Sequence, residues 1–139
     1  MATITVPGLQ FPDGTTQNSA GGGVSLSAQN TWTKSQNVQA VTLTDAASVL
    51  TDATLGNIFT VTLAGNRTLA NPTGMIAGGC YSWLITQDGT GSRTLAYGSD
   101  FKWAGGTAPT LSTGAGAVDM ISAIWNGTIL CAVAQLNFS

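Results

Sequence analysis

The sequence predicts an all-β fold: a compact antiparallel β-sandwich or barrel of about seven or eight short strands, with an extended N-terminal arm. Three observations carry this. Composition is the first: of 139 residues, 7% are charged and 43% hydrophobic, with 18 Gly and 21 Thr. The Glu, Lys and Arg that normally face water on amphipathic helices are almost absent. Turn signals recur roughly every ten residues, which is the second. Between them lie short β-branched and aromatic runs, several alternating with period two.

The arm comes first. Thr3-Ile4-Thr5-Val6 alternates as a short strand would, and Pro7-Gly8 interrupts it. Leu9-Gln10-Phe11 leads into Pro12-Asp13-Gly14-Thr15, a turn in which Pro presets φ and Gly accepts positive φ. Gly21-Gly22-Gly23 is the clearest linker, so residues 1–23 are assigned to the arm and 24–139 to a β-domain. Ile4, Val6, Leu9 and Phe11 are its apolar anchors, and with Pro12, Asp13 and Gly14 they form the expected assembly element. They are too few to build a core alone.

In the domain, Val38–Thr44 is a strand by β-branched content. Residues 45–53 read as a turn or short strand, with one helical turn as the alternative. Asn57–Leu63 alternates with Phe59, Val61 and Leu63 on one face, and Ala64-Gly65-Asn66 turns it into Arg67–Leu69. Cys80–Thr86 is a strand with either Tyr81, Trp83 and Ile85 or Cys80, Ser82 and Leu84 inward. Asp88-Gly89-Thr90-Gly91 reads as a hairpin loop into Arg93–Tyr97, and Asp100–Trp103 as a short edge strand. Ala117–Trp125 and Thr128–Phe138 form the strongest hairpin, closed by Asn126-Gly127 as a type I′ turn.

Charge and residue inventory exclude several function classes. Four bases (Lys34, Arg67, Arg93 and Lys102) and a net charge of −2 cannot track a phosphate backbone, so no nucleic acid is expected. There is no His, so Ser-His or Cys-His nucleophile activation and imidazole metal sites are out of reach. No run is long and apolar enough to span a bilayer, and no basic n-region precedes an apolar stretch, so neither membrane nor signal peptide is expected. All six acids are Asp, and Asp13, Asp88 and Asp100 sit in turns where Asp caps its own backbone. Asp119 lies between Val118 and Met120 and is expected to face solvent or a neighbouring chain. Cys80 and Cys131 are expected as buried free thiols. An enzyme, a metal and a cofactor are all unexpected. The Asn66 and Asn126 sequons read as turns.

The aromatic residues point to contacts. Trp83 and Trp125 lie in strands and are expected in the core. Trp32, Phe101 and Trp103 are candidates for intersubunit or glycan contact. With so few charges to keep exposed surfaces apart, the chain is expected to bury part of its surface against copies of itself.

Residues 9–17, Leu-Gln-Phe-Pro-Asp-Gly-Thr-Thr-Gln, resemble the FPDGTxQ segment of bacteriophage tail-fibre and related virion proteins. The Ile85–Leu95 and Gly105–Thr113 segments, and Asp119 with Trp125-Asn126-Gly127-Thr128, are similar to elements of small β-rich phage fibre and decoration modules. This resemblance implies a homotrimer on the virion exterior, made in the host bacterial cytoplasm. Met1 stands just before the motif, and no shaft, collagen-like repeat or coiled coil follows. The expectation is therefore a short knob: a trimeric capsid decoration (cement) protein that docks its arm on the major capsid protein or another virion protein. The alternative is a small tail-fibre module that recognises host-surface glycan.

Overall fold

A computed structural model describes residues 9–10, 16–17 and 37–138. The chain divides into two units, Met1–Gln36 and Asn37–Ser139. In the first, β1 (Leu9–Gln10) pairs antiparallel with β2 (Thr16–Gln17), with Leu9 opposite Gln17. The expected Gly21–Gly23 boundary, and Ile4, Val6, Phe11, Pro12, Asp13, Gly14 and Trp32, lie outside the described residues, as does Leu9 beyond its backbone pairing.

The second unit is all-β apart from one 3-10 turn at Ala104–Gly106. Its strands are β3 (Val41–Thr42), β4 (Ser48–Val49), β5 (Ile58–Leu63), β6 (Arg67–Leu69) and β7 (Cys80–Gln87). They continue as β8 (Leu95–Tyr97), β9 (Phe101–Trp103), β10 (Val118–Trp125) and β11 (Leu130–Phe138). From β3 to β9 consecutive strands alternate between two sheets, and β10 and β11 then stay in the larger one. One is six-stranded in the order β3-β5-β7-β10-β11-β9, and the other is three-stranded in the order β4-β6-β8.

The chain therefore winds rather than folding back. β3, β5 and β7 stack in parallel, with Val41, Phe59 and Trp83 side by side. β4, β6 and β8 stack likewise, with Val49, Leu69 and Tyr97 in register. The β10–β11 hairpin then inserts antiparallel to β7, and β9 closes the sheet parallel to β11.

The expected strands are present, but the expectation of antiparallel pairing throughout is corrected to a mixed arrangement. The reason lies at the bends. Ala64-Gly65-Asn66 and the Asp88–Gly91 loop lead from one sheet to the other instead of closing hairpins. A turn signal fixes that the chain bends, not which strand it meets next. The last hairpin is correct in its strands, but its turn differs. Gly127 has φ 100 and Asn126 is not in the left-handed region. Asn126 N donates to Ile129 O (3.1 Å), so Gly127 and Thr128 are the central residues. Glycine at the first central position fits a type II′ turn rather than type I′.

The core lies between the sheets. Phe59, Val61, Leu63, Trp83, Ile85 and Ile121 from the large sheet meet Val49, Leu69 and Leu95 from the small one. Burying each large side chain contributes on the order of 1.5–3 kcal/mol. Trp83 decides the parity of β7: its ring is fully buried, and its Nε1–H donates to the buried Thr51 hydroxyl at 3.1 Å. Tyr81, Trp83, Ile85 and Gln87 then point inward, so Cys80, Ser82, Leu84 and Thr86 point outward. This corrects the expectation of buried thiols: Cys80 and Cys131 are free but exposed.

Asp119 is also corrected. It is 1% exposed, on the inner face of β10 between the sheets. Its carboxylate accepts from Ser112 N and Oγ (both 2.7 Å) and from Asn137 N (2.8 Å). These bonds hold the segment before β10 and the end of β11 to the same point. Asn137 adopts φ 63, and the β10–β11 register shifts between Val118 and Met120.

Candidate functional site

The most distinctive surface feature grows from an aromatic series that runs out of the core. Phe59 stacks on Trp83 with centroids 5.6 Å apart, and Trp83 meets Phe101 edge-on at 5.4 Å. Phe101 lies nearly parallel to Trp103 at 6.1 Å, and Tyr97 meets Trp103 edge-on at 4.7 Å. The series is set by local sequence. In Phe101-Lys102-Trp103, strand alternation sends Phe101 and Trp103 to one side and Lys102 to the other. β9 pairs through one edge only, with β11, which leaves its other edge open.

Phe101 and Trp103 thus have different fates. Phe101 is 4% exposed and serves the core. Trp103 is half-buried at the end of the series, where it lines a surface hollow with Ala104, Thr107, Pro109, Ala134 and Leu136. Tyr97 supports it from behind. The Tyr97 hydroxyl is buried with no hydrogen-bond partner among the described residues. Desolvation, reinforced by the negative charge of Asp119, pushes its pKa far above the usual tyrosine value. Chemically, the hollow offers a supported aromatic ring, an apolar floor and a hydroxyl at Thr107. Such a surface suits the C–H face of a sugar ring or an apolar side chain.

Several other loops of the domain are tied down by side-chain contacts. Asp88 receives Arg93 through Nε (3.2 and 3.1 Å) and Nη2 (2.7 Å), and caps the N–H groups of Thr90 (3.0 Å) and Gly91 (2.9 Å). The bond to the Arg93 guanidinium holds the Asp88 carboxyl below its usual range. Gln87, buried, grips the Arg93 backbone at both ends, with bonds of 2.9 and 2.8 Å. Arg67 makes a matching two-pronged contact with Asp45 (2.8 and 2.6 Å), which lowers the Asp45 pKa in the same way. Asp52 accepts from the N–H and hydroxyl of Thr54 (2.9 and 2.6 Å), and its pKa is lowered by those bonds. The two sequon asparagines hold bends: Asn66 accepts from Thr94 N (3.0 Å), and Asn126 from Thr128 N and Ile129 N (both 2.9 Å). Among the described residues, no group of three or more metal-ligating side chains comes together. None of the described helices is long and apolar enough to cross a membrane.

Sequence reading named Trp103 but missed two features. One is Asp119 as an internal tether. Its signal was present, since its neighbours Ile121 and Ala123 at i+2 and i+4 share the core parity. The other is the outer face of the large sheet, which is exposed and apolar at Ile124 and Val133. Its signal was the lack of any charge at the outward positions of β5, β7, β10 and β11.

Comparison with known proteins places this architecture. Neither the curated proteins nor the solved structures give a match. A family model described as "Putative phage tail fibre C-terminal domain" matches residues 12–129, which takes in the strands from β2 through β10. The chain belongs to this family of phage tail fibre C-terminal domains, and it is a structural component of a bacteriophage virion.

Proposed function

We propose that this chain is the host-facing end of a phage tail fibre, a homotrimer on the virion exterior that contacts a glycan of the bacterial surface. The observation that carries this reading is the family match over residues 12–129. It favours the tail-fibre module over the capsid decoration role that the composition and arm suggested. The Trp103 hollow supports a sugar ligand: the ring is braced by Tyr97 and Phe101, so the side chain itself loses little freedom on binding. No catalytic step, metal or cofactor enters this proposal. The competing reading, in which the arm docks on the major capsid protein, predicts no contact with the host at all.

Adsorption competition tests the two. Purified chain is added to host cells before phage, and free phage are counted. The proposal expects the chain to slow adsorption in a dose-dependent way. Trp103→Ala should need about tenfold more protein for the same effect, equivalent to roughly 1.4 kcal/mol, while Trp103→Phe restores most of it. A chain that leaves adsorption untouched at saturating dose contradicts the receptor role.

A further inference from the structure

We propose that the outer face of the six-stranded sheet is where this chain packs against further copies of itself, around a rotation axis. The inference rests on the homotrimer reading above and assigns it a surface. Four neighbouring strands, β5, β7, β10 and β11, run 6, 8, 8 and 9 residues and make up most of the sheet. The only charged residue on them is Asp119, which points inward. Outward stand Ile58, Leu84, Met120, Ile124 and Val133, with Ile124 51% and Val133 53% exposed. A solvent-facing sheet surface normally carries charge, partly to prevent edge and face association. Across these four strands this face carries none, and Lys102 on the edge strand β9, in register with Cys131, is the charge at its margin.

Two pairs of its hydroxyls satisfy each other. The Ser82 and Ser122 hydroxyls lie 3.2 Å apart across β7 and β10, and the Thr60 hydroxyl donates to that of Thr42 at 3.4 Å. Hydroxyls that satisfy one another lose little when water is removed. Symmetry explains the missing charge on these four central strands. At a rotation axis each side chain meets its own copies, so any charge would face the same charge. A chemically different partner would impose no such restriction.

Dimensions agree with three copies. Four strands spaced ~4.8 Å apart and about seven residues long make a face of roughly 19 by 23 Å. Three such faces together bury about 1,300 Å² around the axis before side-chain relief is counted. Three faces ~19 Å wide, set as a triangle, place the axis about 5.5 Å from each sheet, half the ~10 Å spacing of packed sheets. Side chains would then meet at the centre without leaving a channel.

Cys80 and Cys131 make the test direct. They flank Ile124 in register on this face, one on β7 and one on β11. Both are exposed in the single chain. The full chain is examined by light scattering at micromolar concentration and by iodoacetamide labelling. The expected result is a mass of three chains, with both thiols labelled at least tenfold more slowly than in a mild-denaturant reference. Ser122→Asp should reduce the mass to one chain and release both thiols, with the far-UV spectrum unchanged. Thr68→Asp, on the outer face of the other sheet, should change neither. A trimer that labels freely and keeps its mass in Ser122→Asp overturns the face assignment but leaves the trimer standing. A monomer with free thiols overturns the trimer reading itself. A monomer with protected thiols means that other parts of the same chain cover the face, and also overturns the proposal. If Ser122→Asp does not fold, the mass and thiol rates of the unaltered chain decide.

Discussion

Asp119 is the residue on which most of the internal order converges. Three donors from two segments meet one buried carboxylate. Asp119→Ala would leave Ser112 N and Asn137 N unpaired between the sheets, and should cost roughly 2–4 kcal/mol in urea unfolding at fixed protein concentration. Asp119→Asn keeps an acceptor but turns an amide N–H toward a donor, so a smaller loss is expected. The surface carboxylates act differently. Asp45 and Asp88 have pKa values lowered mainly by their bonds to Arg67 and Arg93. A carboxylate whose folded pKa lies below its unfolded value stabilises the fold above the unfolded value, and that contribution is lost as pH falls through the folded one. The thermal midpoint should therefore be flat from pH 7 to 5 and fall below about pH 4, the ordinary carboxylate range. Arg93→Gln should shallow that fall, and a midpoint that rises on acidification would contradict the pairing. The turn role of Asp88 was legible from its Gly neighbours. Asp119 was not, because one polar residue in an alternating strand reads as an outward position unless its parity is tracked against Ile121 and Ala123.

Strands were the most legible elements, and their connections the least. Phe59, Val61 and Leu63 alternate within six residues, so β5 announces both its extent and its buried face. Which strand lies beside it depends on chain segments far away in sequence. The coils are of unequal length, so Val41, Phe59 and Trp83 align in space without a fixed repeat in sequence. The Asp88–Arg93 loop shows how a bend of this kind is made. Gly91 is buried with φ +73, and a Cβ there would lie 2.5 Å from Thr113 O and 2.9 Å from Ala115 N. Gly91→Ala should therefore destabilise by about 2 kcal/mol or more, from backbone strain and collision together. Gly89 has open space around it and no positive φ, so Gly89→Ala should stay within about 0.5 kcal/mol of the parent. Equal effects at the two positions would show that the loop is not held as described. At the candidate site, Trp103 stood out in sequence as an aromatic beside a Gly-rich loop. Phe101 looked the same and shares the same face of β9, but it lies deeper, against Trp83 and beside the buried Leu130, a placement set by strands distant in sequence.

At the scale of the whole molecule, the shortage of charge and the mixed winding belong together. Coils of parallel strands bury one face of each sheet and leave the other outward. Here the outward positions of the four long strands of the larger sheet lack the charge that would suit them to water. In the proposal, identical chains cover that face, and the Trp103 hollow is the surface that meets the host. The central claim is that this domain works at the end of a tail fibre. The most direct measurement is immunogold electron microscopy of purified particles, with antibody raised against the full chain. The account expects label at the fibre ends of the tail. Label spread evenly over the capsid shell, with none on the tail, would contradict it.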